Sequence, residues 1–470
     1  MVDPRDGSLQ ASQDVHIAGD RIASVGPAPQ SAGAEPPPGA QAVDATGQFL
    51  VPGFADMHAH MHSHPLAGGD PSGGFDLMLA HGVTGFRQMS GSARMLKERA
   101  AGTLTPAYGP RLLAMPGAVL SPLNAGTPDA AVAAVREQHE QGADFIKAAL
   151  VTPEVFYQAQ LECQRLGIAI LGHLPNGIDV ARACGEGVRS VEHLGPGVSL
   201  LACCSADQDA VRQEVEAAAR PGPRLPPARL PFLEAIFDRL LRKIIINPAN
   251  ISRPEDIAIL EHAAATFGHS EAAALAARFV RDGTWQVPTL IRSRTTHLCD
   301  DPVYRNDPAL RYVAPSMLRD WTKATAKFRR FPAESRQTFR AVYAVLLILA
   351  RLLDEAGVKM LAGSDSGGAS WEIPGQALHQ EFDELARAGL PPLRVLQMTT
   401  WNAAEVLDRT DVMGTVAAGK YADLVLLNAN PLESTDHLHL ISGVVRGGRY
   451  FPQAELEAIK EKVAAARSVR

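Results

Sequence analysis

Phe49-Leu-Val-Pro-Gly-Phe-Ala-Asp-Met-His-Ala-His60 is the stretch that decides the fold of this chain of 470 residues. An apolar run leads into two histidines, His58 and His60, that are separated by one residue. Side chains of a strand alternate between its faces, so we expect both imidazoles on one face at the strand end. Neutral imidazole is a common ligand of divalent metal ions, and the spacing therefore predicts half of a metal site.

Four more side chains suited to metal binding follow short apolar runs: Lys147 in Asp-Phe-Ile-Lys, His173 in Leu-Gly-His, His193 in Val-Glu-His and Asp365 in Gly-Ser-Asp. Parallel β/α enzymes assemble their sites at the C-terminal ends of strands. A single buried histidine is more often a core group than a ligand, but several at successive strand ends predict a shared site.

The pattern along the chain predicts an α/β fold, a (β/α)8 TIM barrel over residues 49–411. Helix-favouring, alanine-rich stretches separate the predicted strands. We expect eight strands at 49–52, 83–89, 111–119, 145–150, 168–173, 190–193, 285–291 and 358–362.

Residues 1–48 and 412–455 predict a small β-sandwich domain built from both termini. A hairpin is expected at 14–26, turning at Gly19-Asp20, with further strands at 422–427 and 443–450 and a surface loop at 27–42. A helical insertion at about 205–283 follows the sixth barrel strand, because the separation before the next strand far exceeds a normal βα loop. It suits a lid or substrate-binding cap and, equally, an oligomer contact.

Composition narrows the function. A net charge of −6 argues against nucleic acid as a partner and favours a small-molecule substrate. Five cysteines show no disulfide or zinc-knuckle spacing, and no secretory signal is evident, so we expect a cytoplasmic protein. We also expect a homo-oligomer. The apolar run at 341–350 is too short to cross a membrane and predicts a buried helix, so no membrane association is expected.

These motifs together resemble the metal-dependent amidohydrolase superfamily, and within it the branch of imidazolonepropionases and Xaa-Pro dipeptidases. The resemblance covers most of the chain outside the insertion. It is carried by residues 51–60, 142–147, 190–193 and 363–365 and by Met-Gly-Thr-Val-Ala-Ala-Gly-Lys-Tyr-Ala-Asp-Leu-Val-Leu-Leu at 413–427.

The resemblance implies a binuclear centre. His58, His60 and Asp365 would bind one divalent ion, and His173 and His193 the other. Lys147 would bridge both as N6-carboxylysine, although an unmodified lysine stays open. Zinc is the expected metal, with manganese, cobalt or iron as alternatives.

The activity implied is hydrolysis of an amide (C–N) bond in a small N-acyl amino acid or peptide-like substrate. A metal-bridging hydroxide would attack the carbonyl, with Asp365 as general base and then acid. The alternative on the same centre is a lactone, ester, carbamate or cyclic-amide hydrolase. A non-catalytic scaffold is the alternative from another class, disfavoured because every ligand position is filled.

Substrate contacts are predicted from polar side chains near strand ends. Arg87 suits a substrate carboxylate, although a structural salt bridge fits it equally well. Trp285, Trp321, Tyr304 and Tyr312 hint at a bulky apolar substrate group, with core packing as the alternative. The full set of predicted substrate contacts is Arg87, Gln88, His62, Arg292, His297 and His379.

Overall fold

The computed structural model describes residues 1–27, 39–62, 72–219 and 245–468. Its strands are β1 (Gln13–Ala18), β2 (Arg21–Pro27), β3 (Phe49–Pro52), β4 (Phe54–Ala59), β5 (Val83–Gln88), β6 (Arg111–Ala114), β7 (Phe145–Ala148), β8 (Ala169–Gly172), β9 (Ser190–Glu192), β10 (Trp285–Val287), β11 (Leu424–Leu427), β12 (Ile441–Arg446) and β13 (Arg449–Pro452).

The α-helices in the described ranges are Ser72–Ala80, Ala93–Ala100, Pro128–Glu140, Pro153–Leu166, Val180–Gly185, Ser199–Cys203, Gln208–Ala218, Pro254–Ala265, His269–Asp282, Leu290–His297, Pro302–Arg305, Pro315–Phe328, Ala333–Glu355, Gln376–Ala388, Pro392–Thr399, Trp401–Val406 and Gln453–Ser468. Short 3-10 helices lie at Pro248–Ile251, Pro308–Tyr312 and Thr435–His439.

The strands that precede the predicted ligands run parallel in two sheets, ordered β4-β5-β6 and β7-β8-β9-β10. A parallel bridge joins Pro116, just beyond β6, to Phe145 of β7. The segment around residues 358–366 bonds to both outer strands, through Met360 to Gln286 of β10 and through Ser366 to Ala59 of β4. Parallel strands with helices between them are the α/β architecture that the sequence predicts.

Local signals explain where the connecting helices begin. Thr127 and Thr152 adopt extended backbone and accept hydrogen bonds from the first turn of the helices that follow β6 and β7. Each is followed by a proline, whose fixed φ suits the first helical position. Asp179 caps the helix after β8 in the same way. These caps fix the residue at which each of the three helices begins.

The terminal strands form antiparallel sheets. β1 pairs with β2, which confirms the hairpin, and β3, β11, β12 and β13 form a four-stranded sheet. Phe49–Pro52 belongs to this second sheet, so the prediction that it starts the parallel strands is wrong. Gly53 connects the two sheets. A larger residue does not fit at this position, because a Cβ there would lie 2.0 Å from Thr84 Oγ1. The strand that carries His58 begins at Phe54.

The strand expected at 111–119 already ends at Ala114. Two further predicted strands are also much shorter than expected. The strand expected at 285–291 ends at Val287, and a helix starts at Leu290 after Pro288 and the left-handed residue Thr289. At 358–362 the chain pairs only through the bridge at Met360. Proline lacks the N–H that continues a strand ladder, which explains why the strand expected at 285–291 ends early.

Several predictions concern the rest of the chain. The run at 341–350 lies within the helix Ala333–Glu355, as expected. The insertion contains the helices Gln208–Ala218, Pro254–Ala265 and His269–Asp282, while its residues 220–244 lie outside the described ranges, as do residues 28–38 of the predicted loop. Among the described helices, none is both long and apolar enough to span a membrane.

Candidate metal centre

His58, His60 and Asp365 converge at the C-terminal end of β4. The Nε2 atoms of His58 and His60 lie 3.1 and 3.0 Å from Oδ1 of Asp365. His58 is fully buried, and Asp365 is 5% exposed. Of the described residues, these three form the group whose ligand atoms lie mutually close enough to hold one metal ion.

The partners of His58 make this geometry suitable for a cation. Its Nδ1 lies 2.6 Å from Oε2 of Glu192, so Nδ1 carries the proton that this carboxylate accepts. Nε2 then presents a lone pair toward the Asp365 oxygen, and neither atom has a hydrogen-bond partner among the described residues. Two buried lone pairs 3.1 Å apart are unfavourable unless a positive charge lies between them.

Glu192 belongs to a buried ion pair that anchors His58. The Arg87 guanidinium donates to both carboxylate oxygens, at 3.0 and 3.2 Å, and to the Met57 carbonyl oxygen at 2.7 Å. Ser190 Oγ donates to the same carboxylate at 2.6 Å. Burial alone would raise the pKa of Glu192, but the Arg87 charge holds it well below its usual range. Arg87 therefore makes the structural salt bridge that the sequence left open.

Lys147, His173 and His193 form the neighbouring group. The His193 ring lies 4.5 Å from that of His58 and 5.0 Å from that of His173, measured between centroids. Lys147 is 2% exposed, and its Nζ has no partner among the described residues. Burial lowers the pKa of Lys147 to about 8. An ammonium without partners is costly to bury, so near neutral pH a larger fraction of this amine is neutral and nucleophilic than in an exposed lysine.

Burial also keeps the two histidines neutral. It lowers the pKa of His173 and of His193 well below the usual range, and the nearby Lys147 charge lowers both further. His193 Nδ1 lies 2.5 Å from Thr289 Oγ1, which orients the ring. Neutral imidazoles have the lone pair that metal binding requires.

Backbone strain is concentrated at this site. His193, Thr289 and Asp365 have φ values of 58°, 42° and 58°, in the left-handed region that side chains with a Cβ disfavour. Such a conformation costs about 1–3 kcal/mol per residue and persists where the surroundings impose it. The surrounding structure therefore holds the backbone of these three residues in an unfavourable conformation, as expected where side chains must converge.

Two glycines allow close packing beneath the ligands. Gly172 has φ of 132°, and a Cβ there would lie 2.1 Å from the Ala148 carbonyl oxygen. The residue before His173 can therefore only be glycine if β7 and β8 are to stay in register. At Gly363 a Cβ would lie 2.6 Å from the His58 Cβ, so glycine is also required there for the Asp365 loop to reach β4.

Asp365 also contacts a cation. Arg292 Nε lies 3.1 Å from Asp365 Oδ2, and its Nη1 is buried without a partner among the described residues. Burial would raise the pKa of Asp365, but the surrounding histidines, His193 foremost, hold it well below the usual range. Arg292 is thus placed beside the predicted catalytic carboxylate, as a substrate-contacting residue would be.

The other predicted substrate contacts divide by position. Gln88 is buried, donates to the Ser90 carbonyl oxygen at 2.9 Å and accepts from the His62 N–H at 3.4 Å, so it braces the loop after β4. The His62 ring packs 5.0 Å from Phe75, and burial lowers its pKa to about 4. Both lie beside the predicted ligands His58 and His60, since Gln88 pairs with Ala59 and His62 is the second residue after His60.

His297 lies on the same helix as Arg292 and interacts with its charge, whereas His379 packs elsewhere. His297 stacks on Phe339 at 5.6 Å, and burial lowers its pKa to about 4. His379 Nε2 contacts the His81 carbonyl oxygen at 2.8 Å, and its ring lies 5.8 Å from Phe54. Phe54 begins β4 whereas His58 and His60 end it, so His379 lies at the opposite end of the strand and we do not retain it as a substrate contact.

Sequence reasoning missed three residues of this site. In the sequence, Glu192 stands out only as the neighbour of His193, and Thr289 only as part of a predicted strand. Glu372 was not singled out by any pattern. Glu372 is 2% exposed, accepts from Thr295 Oγ1 at 2.7 Å, and interacts electrostatically with Arg292 and Asp365. Burial raises its pKa well above the usual range. An acidic residue in an apolar strand could have flagged Glu192, but no local signal marks Glu372.

Comparisons with known proteins show which proteins this chain resembles. Residues 346–460, which include Asp365, match the amidohydrolase family. The adenine deaminase of Paracoccus denitrificans (strain Pd 1222) is 41% identical over 71 residues, which is 15% of this chain and 11% of that protein. The aligned segment thus spans about a tenth of the deaminase.

Whole-chain similarity appears among solved structures. Bottromycin amidohydrolase has a TM-score of 0.69 and 24% identity, with 99% of this chain and 88% of that chain covered. A Xaa-Pro dipeptidase with bound methionine in the active site has a TM-score of 0.59 and 18% identity, with 96% and 97% covered. The predicted resemblance to the amidohydrolases is confirmed, over residues 346–460 by sequence and over the whole chain by fold.

Proposed function

We propose that this chain is a binuclear metal-dependent hydrolase that cleaves an amide bond in a small N-acyl amino acid or peptide-like substrate. The contact that carries the proposal is the buried pair of lone-pair atoms, His58 Nε2 and Asp365 Oδ1, 3.1 Å apart. The family match supports a hydrolase of carbon–nitrogen bonds. The names of two similar structures, an amidohydrolase and a dipeptidase, favour amides as substrates.

The residues present fit two divalent ions. His58, His60 and Asp365 would hold the first, and His173 and His193 the second. Lys147 would bridge them after its neutral amine adds carbon dioxide, since a carbamate supplies two anionic oxygens where an ammonium would repel the ions. The unpartnered Nζ supports this assignment because a buried amine without contacts has lost its usual stabilisation.

The protein's own side chains would then perform the proton transfers. When bound, the ions would lower the pKa of a coordinated water and polarise the substrate carbonyl. Asp365, whose pKa lies well below the usual range, would accept the proton of the attacking water and return it to the leaving nitrogen. Arg292 would fix the Asp365 carboxylate through its Nε contact and leave Nη1 for a substrate oxygen.

The proposal includes a closed eight-stranded barrel as the scaffold. The bridges from Pro116 to Phe145, from Gln286 to Met360 and from Ala59 to Ser366 support closure of the parallel sheets around one axis. In such a barrel the ligands stand at one rim, which is where barrel enzymes act. The antiparallel strands from both ends of the sequence would form the predicted β-sandwich beside it.

Hydrolysis of a matched substrate panel tests the function. Zinc- or manganese-loaded protein, grown with bicarbonate, is assayed against N-acyl amino acids and Xaa-Pro dipeptides beside lactones and aryl esters. We expect amide cleavage that Asp365→Asn reduces by at least about a thousandfold and Asp383→Asn, at a partly exposed helix position, leaves within twofold. Turnover of lactones or esters alone, or none at all with both ions bound, would contradict the amide assignment.

A further inference from the structure

A cavity that is partly open to solvent lies near the candidate metal centre. Two of its wall residues are chain neighbours of proposed ligands, since Met61 follows His60 directly and Gly367 is the second residue after Asp365. Most of the remaining wall is apolar: Leu77, Tyr312, Val313, Met317, Trp321 and Ile373. An apolar group in this cavity would therefore lie close to the reacting bond.

Rigid aromatic side chains form one wall. Trp321 is 3% exposed and packs against Trp371, with ring centroids 5.5 Å apart. Tyr312 is 8% exposed. Of the aromatic residues that the sequence suggested for substrate binding, Trp285 instead packs in the core, and Tyr304 stacks on Trp371. Aromatic walls favour aromatic or branched groups because ring contacts add to area burial.

One wall residue is acidic. Glu372 lines the cavity, its Oε1 accepts from Thr295 Oγ1, and its Oε2 is buried without a partner among the described residues. Its hydrogen-bond partner Thr295 lies on the same helix as Arg292, one turn further on, so Glu372 faces the side of the cavity where Arg292 contacts Asp365. A buried polar atom without a partner is costly, and a polar ligand atom would remove that cost.

We propose that this cavity receives a bulky apolar side chain of a peptide-like substrate, next to the bond that is cleaved, while Glu372 Oε2 pairs with a polar atom of the substrate backbone. The inference rests on the proposed function for the identity of that bond. It narrows the substrate class to amides flanked by an aromatic or large aliphatic side chain. Pockets of this kind discriminate by about tenfold or more per apolar group.

Filling the cavity is the direct perturbation. Ala314 lines it, is only partly buried, and has φ of −60° at the start of the helix Pro315–Phe328, so Ala314→Phe places a ring in the cavity without overpacking a core. Ala326, exposed on the same helix and outside the cavity wall, gives the matched control Ala326→Phe.

Binding is measured separately from hydrolysis. Calorimetric titration of the protein compares 3-phenylpropan-1-ol with propan-1-ol, neither of which has a hydrolysable bond. We expect the phenyl compound to bind at least about tenfold more tightly, and this preference to disappear in Ala314→Phe but remain in Ala326→Phe. An equal affinity for both alcohols, or a preference that survives Ala314→Phe, would overturn the inference.

Kinetics complete the test. Amide substrates that differ only by phenylalanine or alanine should differ by at least about tenfold in kcat/KM, and Ala314→Phe should bring the ratio near one. Glu372→Leu should raise KM for both substrates about tenfold, and an unchanged KM would remove Glu372 from the account. Selective alcohol binding without amide hydrolysis would refute the proposed function alone. Amide hydrolysis with equal rates in all variants would refute the cavity assignment alone.

Discussion

Replacing Glu192 with glutamine tests how the metal centre is held. Glu192 is fully buried and contacts His58, Arg87 and Ser190 at 2.6 to 3.2 Å. Glutamine keeps the size but loses the charge, and its amide can donate to His58 Nδ1. The His58 proton would then move to Nε2, the atom that faces Asp365, and would occupy the lone pair needed for a metal ion.

The expected magnitudes follow from these contacts. Loss of a carboxylate that orients a ligand histidine lowers metal affinity by about 10- to 100-fold. That loss corresponds to about 1.4–2.7 kcal/mol. Removing one partner of a buried ion pair costs about 3–5 kcal/mol, and we expect the lower end because the Gln carbonyl oxygen can still accept from Arg87.

Two measurements check the prediction. Competition with a chromophoric chelator gives the zinc Kd, and urea unfolding of the metal-free protein gives the free energy of unfolding. Glu186→Gln, which removes a partly exposed ion pair with Arg182, is the matched control and should change the free energy of unfolding by less than about 1 kcal/mol. A Glu192→Gln protein with unchanged Kd and unchanged free energy of unfolding would refute the reasoning.

Three other predictions address single residues. Only the neutral Lys147 amine adds carbon dioxide, and its pKa is lowered to about 8. In metal-free protein at fixed dissolved carbon dioxide, the initial rate of ¹³C-carbamate formation should therefore rise about tenfold per pH unit below pH 8 and level off above it. A pH-independent rate, or the same signal in Lys147→Arg, would contradict it. Arg292→Gln, which breaks the contact with Asp365, should lower kcat/KM about 10- to 100-fold, and a change below twofold in steady-state assays would remove that role. His379→Asn should leave kcat/KM within twofold while urea unfolding shows a loss of about 1–3 kcal/mol, since it packs near Phe54; a specific loss of activity would contradict its placement.

The sequence predicted the parts of the site that depend on local spacing. His58 and His60 converge because strand side chains alternate, and Lys147, His193 and Asp365 lie where a parallel strand or bridge ends. The pairing of Phe49–Pro52 depended on a partner more than 370 residues away, at Leu424–Leu427, which no local pattern reveals. The strand at Phe49–Pro52 was therefore predicted correctly, but the sheet to which it belongs was not.

Roles of side chains were harder to predict than their positions. Arg87 was a plausible substrate contact until the fold brought Glu192 from four strands later in the sequence into its reach. Glu372 follows Asp365 in a loop without regular structure. Only its hydrogen bond from Thr295 and its position in the cavity wall indicate that it belongs to the site. Long-range contacts of this kind decide whether a buried charge is structural or faces a substrate.

Anomalous diffraction from crystals of the zinc-loaded protein tests the central claim most directly. The account predicts two zinc peaks per chain, one among His58, His60 and Asp365 and one beside His173 and His193. Continuous density from Lys147 Nζ to both peaks would identify the bridging carbamate. No peak at either position, or zinc bound only at other residues, would contradict the binuclear centre on which the proposed function rests.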